Sequence, residues 1–373
     1  MPGAQNAGKA TISRAGELAD AISTLGDSDG EIERARACYD SLYALASEHA
    51  NSADIRDRLI CGALRLAACH ARRSELSAIH DVRTHLKRYA TGHPDDPGMR
   101  RGYCELSVTL CLEYARQGKT AEADATFEEI RTIAARHPTD RLLRSTLAKA
   151  IANRIAAHCN AGRTREAQYL HLTLCTLAEV SNSQPDTMLH RANGSFNLAT
   201  HLAQTDASKK AIDLYFNLAG FADSRRHSTD LQDVLADVGF ALITVFGDKE
   251  KLTAAETIYM DLSRRAASDE NIRAKTMLAA FNLMTDLCRA GDIGKARHIY
   301  DDILAASSEE PENAEMALLH AKACANLLLT ADALAEEAHA ELLCQELAAL
   351  ISAWPDDPEI WEIAAHLSPL NTA

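Results

Sequence analysis

A short word recurs along this chain about every 44 residues, so the chain must fold as a row of like units rather than around a single centre. The word is clearest at three places, where residues 118–123 read GKTAEA, 162–167 read GRTREA and 291–296 read GDIGKA. Each copy sets Gly five residues before Ala. Gly can end one helix in the left-handed conformation, and a small Ala lets the next helix pack closely against the first, so each copy predicts a helical hairpin. Extending the register gives Ala35, Ala78, Ala123, Ala167, Ala211, Ala255, Ala296 and Ala340, and therefore about eight hairpins.

Four residues after this Ala stands a large apolar residue in most copies, Tyr39, Val82, Phe127, Tyr215, Tyr259 and Tyr300. Three further on comes Leu42, Ile130, Leu218, Leu262 or Ile303, which completes the stripe of an amphipathic second helix. Pro94, Pro138, Pro185, Pro311 and Pro355 then close five copies. Hydrophobic residues make up 47% of the chain and aromatic ones only 5%, an Ala- and Leu-rich profile that suits helices and starves strands. The first helix carries its own word, FNL at 196–198 and 281–283 and ANL at 325–327, and Asn153, Asn197, Asn282 and Asn326 each lie fourteen residues before their Ala.

Gly-x4-Ala, then the aromatic, the apolar residue and Pro, with Asn fourteen before the Ala, resembles the tetratricopeptide repeat in a long-helix form, over roughly residues 17–355. The usual unit of that family is about 34 residues, and armadillo and HEAT repeats share a period of about 40 to 47 and are the structural alternative. The resemblance implies an all-α, right-handed superhelical solenoid of about eight hairpins. The expected organisation is a disordered tail at 1–14, the solenoid at 15–357, a capping helix at 358–368 and a short tail at 369–373. In the capping segment Ile360, Trp361, Ala364 and Leu367 are placed to cover the last hairpin.

In this family the first helices line a concave groove. By resemblance, Lys149, Asn153, Asn193, Phe196, Asn197, Thr200, Leu278, Phe281, Asn282, Thr285, Lys322 and Asn326 fall on that surface. An Asn there either bonds a peptide backbone or bonds the neighbouring helix and fixes the stacking, and Phe196 and Phe281 are alternatively core residues. The clamp by which some members hold a C-terminal carboxylate is missing: Asn197 would need basic residues where Asp237 and Ala241 stand, and Asn153 where Asn193 and Asn197 stand.

Charge is unevenly spread. Residues 300–373 hold 15 acidic side chains against the single basic Lys322, while residues 56–172 carry 20 Lys or Arg against 13 Asp or Glu. No stretch is apolar for long enough to span a bilayer or to act as a signal peptide, and ten cysteines without a C-x-x-C pair fit a reducing cytoplasm. Chemistry-bearing motifs fail on inspection. Gly118-Lys119-Thr120 lacks the upstream Gly of a phosphate loop, and Asp27 to Glu31 has its Gly too early for a calcium loop. The histidines form no HExxH motif and no i, i+4 pair, and Asn193-Gly194-Ser195 is a sequon only by spelling.

No catalytic motif, metal site or cofactor is expected. The leading expectation is a cytoplasmic adaptor or scaffold that holds a protein or peptide in its groove. The alternatives are a ligand-sensing regulator of an effector and charge-driven self-assembly, and nucleic-acid binding is disfavoured by the net charge of -14.

Overall fold

The N-cap residue recurs with the same 44-residue spacing as the turns. Asp96 and Asp140 accept hydrogen bonds from the first free backbone N–H groups of their helices, as do Asn313 and Asp357 further along. Such caps satisfy donors that a helix leaves unpaired, and each contributes about 1 kcal/mol. Two of them also reach back to the preceding hairpin: Arg56 donates to Asp96 over 2.7 Å and Arg101 to Asp140 over 3.2 Å. One residue therefore starts a helix and ties it to its neighbour.

The computed structural model describes residues 2–25, 28–181, 184–267, 269–333 and 337–367. Among them are seventeen helices and no strand. The first eight are α1 (Pro2–Thr24), α2 (Asp29–Glu48), α3 (Ala53–Arg72), α4 (Leu76–Thr91), α5 (Pro97–Arg116), α6 (Thr120–Arg136), α7 (Arg141–Asn160) and α8 (Thr164–Val180). They are followed by α9 (Pro185–Gln204), α10 (Ser208–Asp223), α11 (Thr229–Asp248), α12 (Leu252–Ala266) and α13 (Glu270–Arg289). The chain closes with α14 (Ile293–Glu309), α15 (Ala314–Ala333), α16 (Glu337–Ala353) and α17 (Pro358–Leu367). The fold is all-α and solenoid-like: from α1 to α8 and from α11 to α16 each odd-numbered helix pairs with the even-numbered one after it as a hairpin, and within each of these runs odd helices also stack on odd ones.

The left-handed turn is where the repeated word puts it. Gly118, Gly162 and Gly291 have φ of +72°, +69° and +76°. Ser74, Asp206 and Glu250 take the same conformation in three other hairpins, at the cost of strain that Gly avoids.

Ser74 corrects the register of the second hairpin. It matches Gly118, which makes Ile79, not Ala78, the residue buried at the hairpin contact, and makes Arg83, not Val82, the counterpart of Phe127. Three further expectations change. Residues 2–14, expected to be disordered, belong to α1. Pro185 opens α9 instead of closing α8. Trp361 does not cover the last hairpin: it is 52% exposed, with its indole N–H on the Pro355 carbonyl, whereas Ile360 is fully buried. The side chains of Ala364 and Leu367, and residues 368–373, lie outside the described residues.

The chain divides into two units, Met1–Gly194 and Ser195–Ala373, with the boundary inside α9, where the repeat alone predicts one solenoid. The first unit buries Ile22, Tyr39, Leu42, Leu59, Leu66, Leu86, Met99 and Leu106 in one continuous core. In the second unit Tyr215, Leu235, Leu242, Phe246, Leu262, Leu283 and Ile303 are buried on the facing stripes of consecutive helices.

Candidate functional site

In two of its four copies the Asn word resolves into a bond between first helices. The side-chain N–H of Asn282 donates to the Thr244 hydroxyl over 3.2 Å, and that of Asn326 to Thr285 over 3.0 Å. In each case the acceptor lies three residues after the Asn position of the preceding first helix, so the same geometry is used twice. By that register Thr200 should receive residue 241, which is Ala241, and the Thr200 hydroxyl is buried with no partner among the described residues. Asn282 and Asn326 thus fix the stacking of α11, α13 and α15.

The other groove candidates divide between the units. Lys149 is exposed on α7, and Asn153 and Asn193 are half-buried, all in the first unit. Burial first, and then the charge of Lys149, hold the His190 imidazole below its usual range. Phe196, Asn197 and Thr200 are half-buried on the part of α9 that belongs to the second unit. Phe281 is also half-buried, so neither Phe is a closed core residue.

Phe281, Lys322 and Asn326 come together. With Ala325, Leu329, Glu359, Glu362 and Ile363 they line a cleft of about 350 Å³ formed by α13, α15 and α17. Its floor is apolar, and its rim carries the Lys322–Glu359 ion pair at 3.3 Å. Leu329 is 50% exposed at the cleft and Leu278, on α13, is 47% exposed. A fixed apolar hollow bordered by charge can seat a side chain of a partner chain; it contains no nucleophile with an adjacent base. Among the described residues no three His, Cys, Asp or Glu are grouped to hold a metal ion, and no helix is long and apolar enough to cross a membrane.

The second helices carry a feature that apolar periodicity hides. The Tyr four residues after the repeat Ala donates to an acid on the next second helix: Tyr215 to Asp261 over 3.0 Å, Tyr259 to Asp302 over 2.6 Å and Tyr300 to Glu346. In the corrected register Arg83 takes the Tyr position and bonds Glu129, the acid of the following hairpin. Burial, and then the neighbouring carboxylate, raise the phenols of Tyr215 and Tyr259 above their usual range, so both remain donors. The rung is absent at Phe127, whose counterpart is Thr173, and imperfect at Tyr39, whose counterpart is His85. The Tyr39 hydroxyl and the His85 Nδ1 are buried without partners among the described residues. Part of the acidic excess after residue 300 is therefore structural, since Asp302 and Glu346 are rung acceptors.

All ten cysteines are free thiols and five are buried; burial pushes Cys104 and Cys324 up to about 12 and Cys111 and Cys159 up to about 11. Such thiols pack as small apolar groups rather than react. Compared with known protein families and with curated proteins, the chain matches none.

Proposed function

We propose that the protein is a non-catalytic scaffold of the tetratricopeptide type, working in a reducing cytoplasm, that seats a peptide segment of a protein partner on the first helices of its second unit. The observation that carries this is the apolar cleft around Phe281, Asn326 and Leu329, with Leu278 also exposed on α13. A soluble helical repeat gains nothing in stability from exposing such side chains, and they bury apolar area once a partner docks. Lys322 is already paired with Glu359 and Glu362 stands beside it, so the rim is net acidic. The complementary segment is an apolar anchor flanked by Lys or Arg.

The test is a screen of fluorescent peptides, apolar-basic against apolar-acidic, followed by titration of the tightest against Leu329→Glu and against Asn282→Ala. The reading expects apolar-basic peptides to bind and Leu329→Glu to weaken them at least about tenfold, which corresponds to roughly 1.4 kcal/mol. Asn282→Ala, which removes only a stacking bond, should leave binding intact in protein that is still folded. Binding that ignores Leu329→Glu would place the partner elsewhere.

A further inference from the structure

Between α4, α5 and α6, within the first unit, lies a cleft of about 320 Å³ whose charges do not balance. Lys87, His93, Arg100, Arg136 and His137 line it together with one carboxylate, Glu129. That carboxylate is already engaged, accepting from Lys87 over 2.8 Å, from the Tyr103 hydroxyl over 2.7 Å and from Arg83. Arg136 is exposed and makes no hydrogen bond or ion pair among the described residues, nor do the side chains of His93 and His137, apart from ring contact of His93 with Tyr89 at 5.0 Å. Arg100 spends one N–H on the Pro94 carbonyl at 3.3 Å, and its Nε is buried without a partner.

The second unit has a cleft at the equivalent place between hairpins, lined by Arg226, Arg264, Arg265, Asp223 and Asp269. There two of the three arginines are neutralised: Arg265 bonds Asp223 over 2.6 Å and Asp261 over 2.7 Å, and Arg264 also pairs with Asp261. In the first unit the position of Asp223 is held by Thr91, which has no charge. Two of the three arginines of the second-unit cleft are thus held in internal ion pairs, whereas the first-unit cleft is left with a cationic surplus around one carboxylate.

We infer that the α4–α6 cleft binds the phosphate group of a small molecule, held by Arg100 and Arg136 with Lys87 and the imidazoles of His93 and His137 as further donors. Donors arriving from three helices and two loops suit a tetrahedral dianion, which accepts from several directions, better than a planar carboxylate. Ala90, Ile133 and the Tyr103 ring leave an apolar wall, and the cleft is larger than phosphate alone requires, so an organic remainder fits beside it.

The experiment is calorimetric titration of the full chain at constant ionic strength with glycerol phosphate, inorganic phosphate and citrate. It is run on the native protein, Arg100→Gln, Arg136→Gln and, as a control, Arg131→Gln, which alters an exposed side chain of α6 outside the cleft. The expected result is a single saturable site for a phosphate probe, weakened about tenfold by Arg100→Gln and by Arg136→Gln and unchanged by Arg131→Gln. Tighter binding of glycerol phosphate than of inorganic phosphate assigns a phosphoester, and the reverse assigns free phosphate; both uphold the site. Absence of saturation, citrate binding as tightly as either phosphate, or equal losses in Arg131→Gln and Arg136→Gln would overturn it. Arg136 is exposed, so its variant keeps the test open even if Arg100→Gln fails to fold.

Discussion

The hydroxyl of Tyr259 donates to the carboxylate of Asp302 over 2.6 Å, joining two consecutive second helices across 43 residues of chain. A hydrogen bond to a charged acceptor is worth roughly 1.5 kcal/mol, so Tyr259→Phe should destabilise the protein by about that much. In a double-mutant cycle with Asp302→Ala, a coupling of about 1 kcal/mol is expected from denaturation midpoints. A coupling near zero would make the rung an incidental contact.

Tyr39 occupies the same position with His85 opposite instead of a carboxylate, and the two are not bonded. Its hydroxyl is buried and unbonded, so Tyr39→Phe should be neutral or should stabilise by up to about 1 kcal/mol. The same chemical change therefore has opposite signs at residues 39 and 259, and thermal denaturation of the two variants side by side reads it directly.

Thr200 lacks the Asn that Thr244 and Thr285 receive. Ala241→Asn is expected to supply it and to raise stability by about 0.5–1 kcal/mol, with the gain abolished in the Thr200→Val background. A gain that survives in that background would have another source.

Two helical glycines separate packing from propensity. Gly220 has nothing within 4 Å of where a Cβ would stand, and Gly220→Ala should stabilise α10 by about 1 kcal/mol. At Gly239 the new Cβ would lie 2.5 Å from Leu262 Cδ1, a fully buried side chain on α12. Gly239→Ala should instead destabilise by about 1–3 kcal/mol, measured by urea denaturation.

Burial, and then the charge of Arg191, pull His171 down from its usual 6.5 to about 4. The unfolded state then binds more protons than the folded state between these values, so stability is full above pH 6.5, falls as the pH drops toward 4 and levels off below it. The loss is at most about 3 kcal/mol. His158, His190 and His320 are lowered by burial too and add to the same slope. His171→Leu should make the denaturation midpoint less dependent on pH across this window; an unchanged slope would show that His171 does not contribute.

The hairpins and their turns were legible in the sequence because a left-handed turn favours Gly and a close helix contact favours Ala, and both leave fixed spacings. The second hairpin reads one residue out because Ser74 replaces that Gly and Ile79 replaces the Ala five residues on, whereas Asp206 and Glu250 keep theirs in Ala211 and Ala255. Phe281, Lys322 and Asn326, expected on one surface, do line one cleft, but the sequence could not say which side of Asn282 or Asn326 faces a Thr, since that depends on how two helices stack. The rungs were hidden because Tyr reads as apolar in a periodic stripe, while its acceptor stands a whole repeat away. The basic cleft was foreshadowed by the cationic surplus of residues 56–172, but only the engagement of Glu129 shows which charges are left over.

In the rung series α12 and α14 each present a donor to the hairpin after and an acceptor to the hairpin before, and this makes some neighbours interchangeable and others not. Excising α11 and α12 as one unit would bring Tyr215 opposite Asp302, a donor meeting a carboxylate as before. Excising α5 and α6 would leave the Arg83 guanidinium opposite Thr173, stranding a buried cation. Lengthening or shortening of such an array by whole hairpins is thus chemically licensed in the Tyr-acid series and barred beside Arg83, so that lineages of this protein should vary in hairpin number there first.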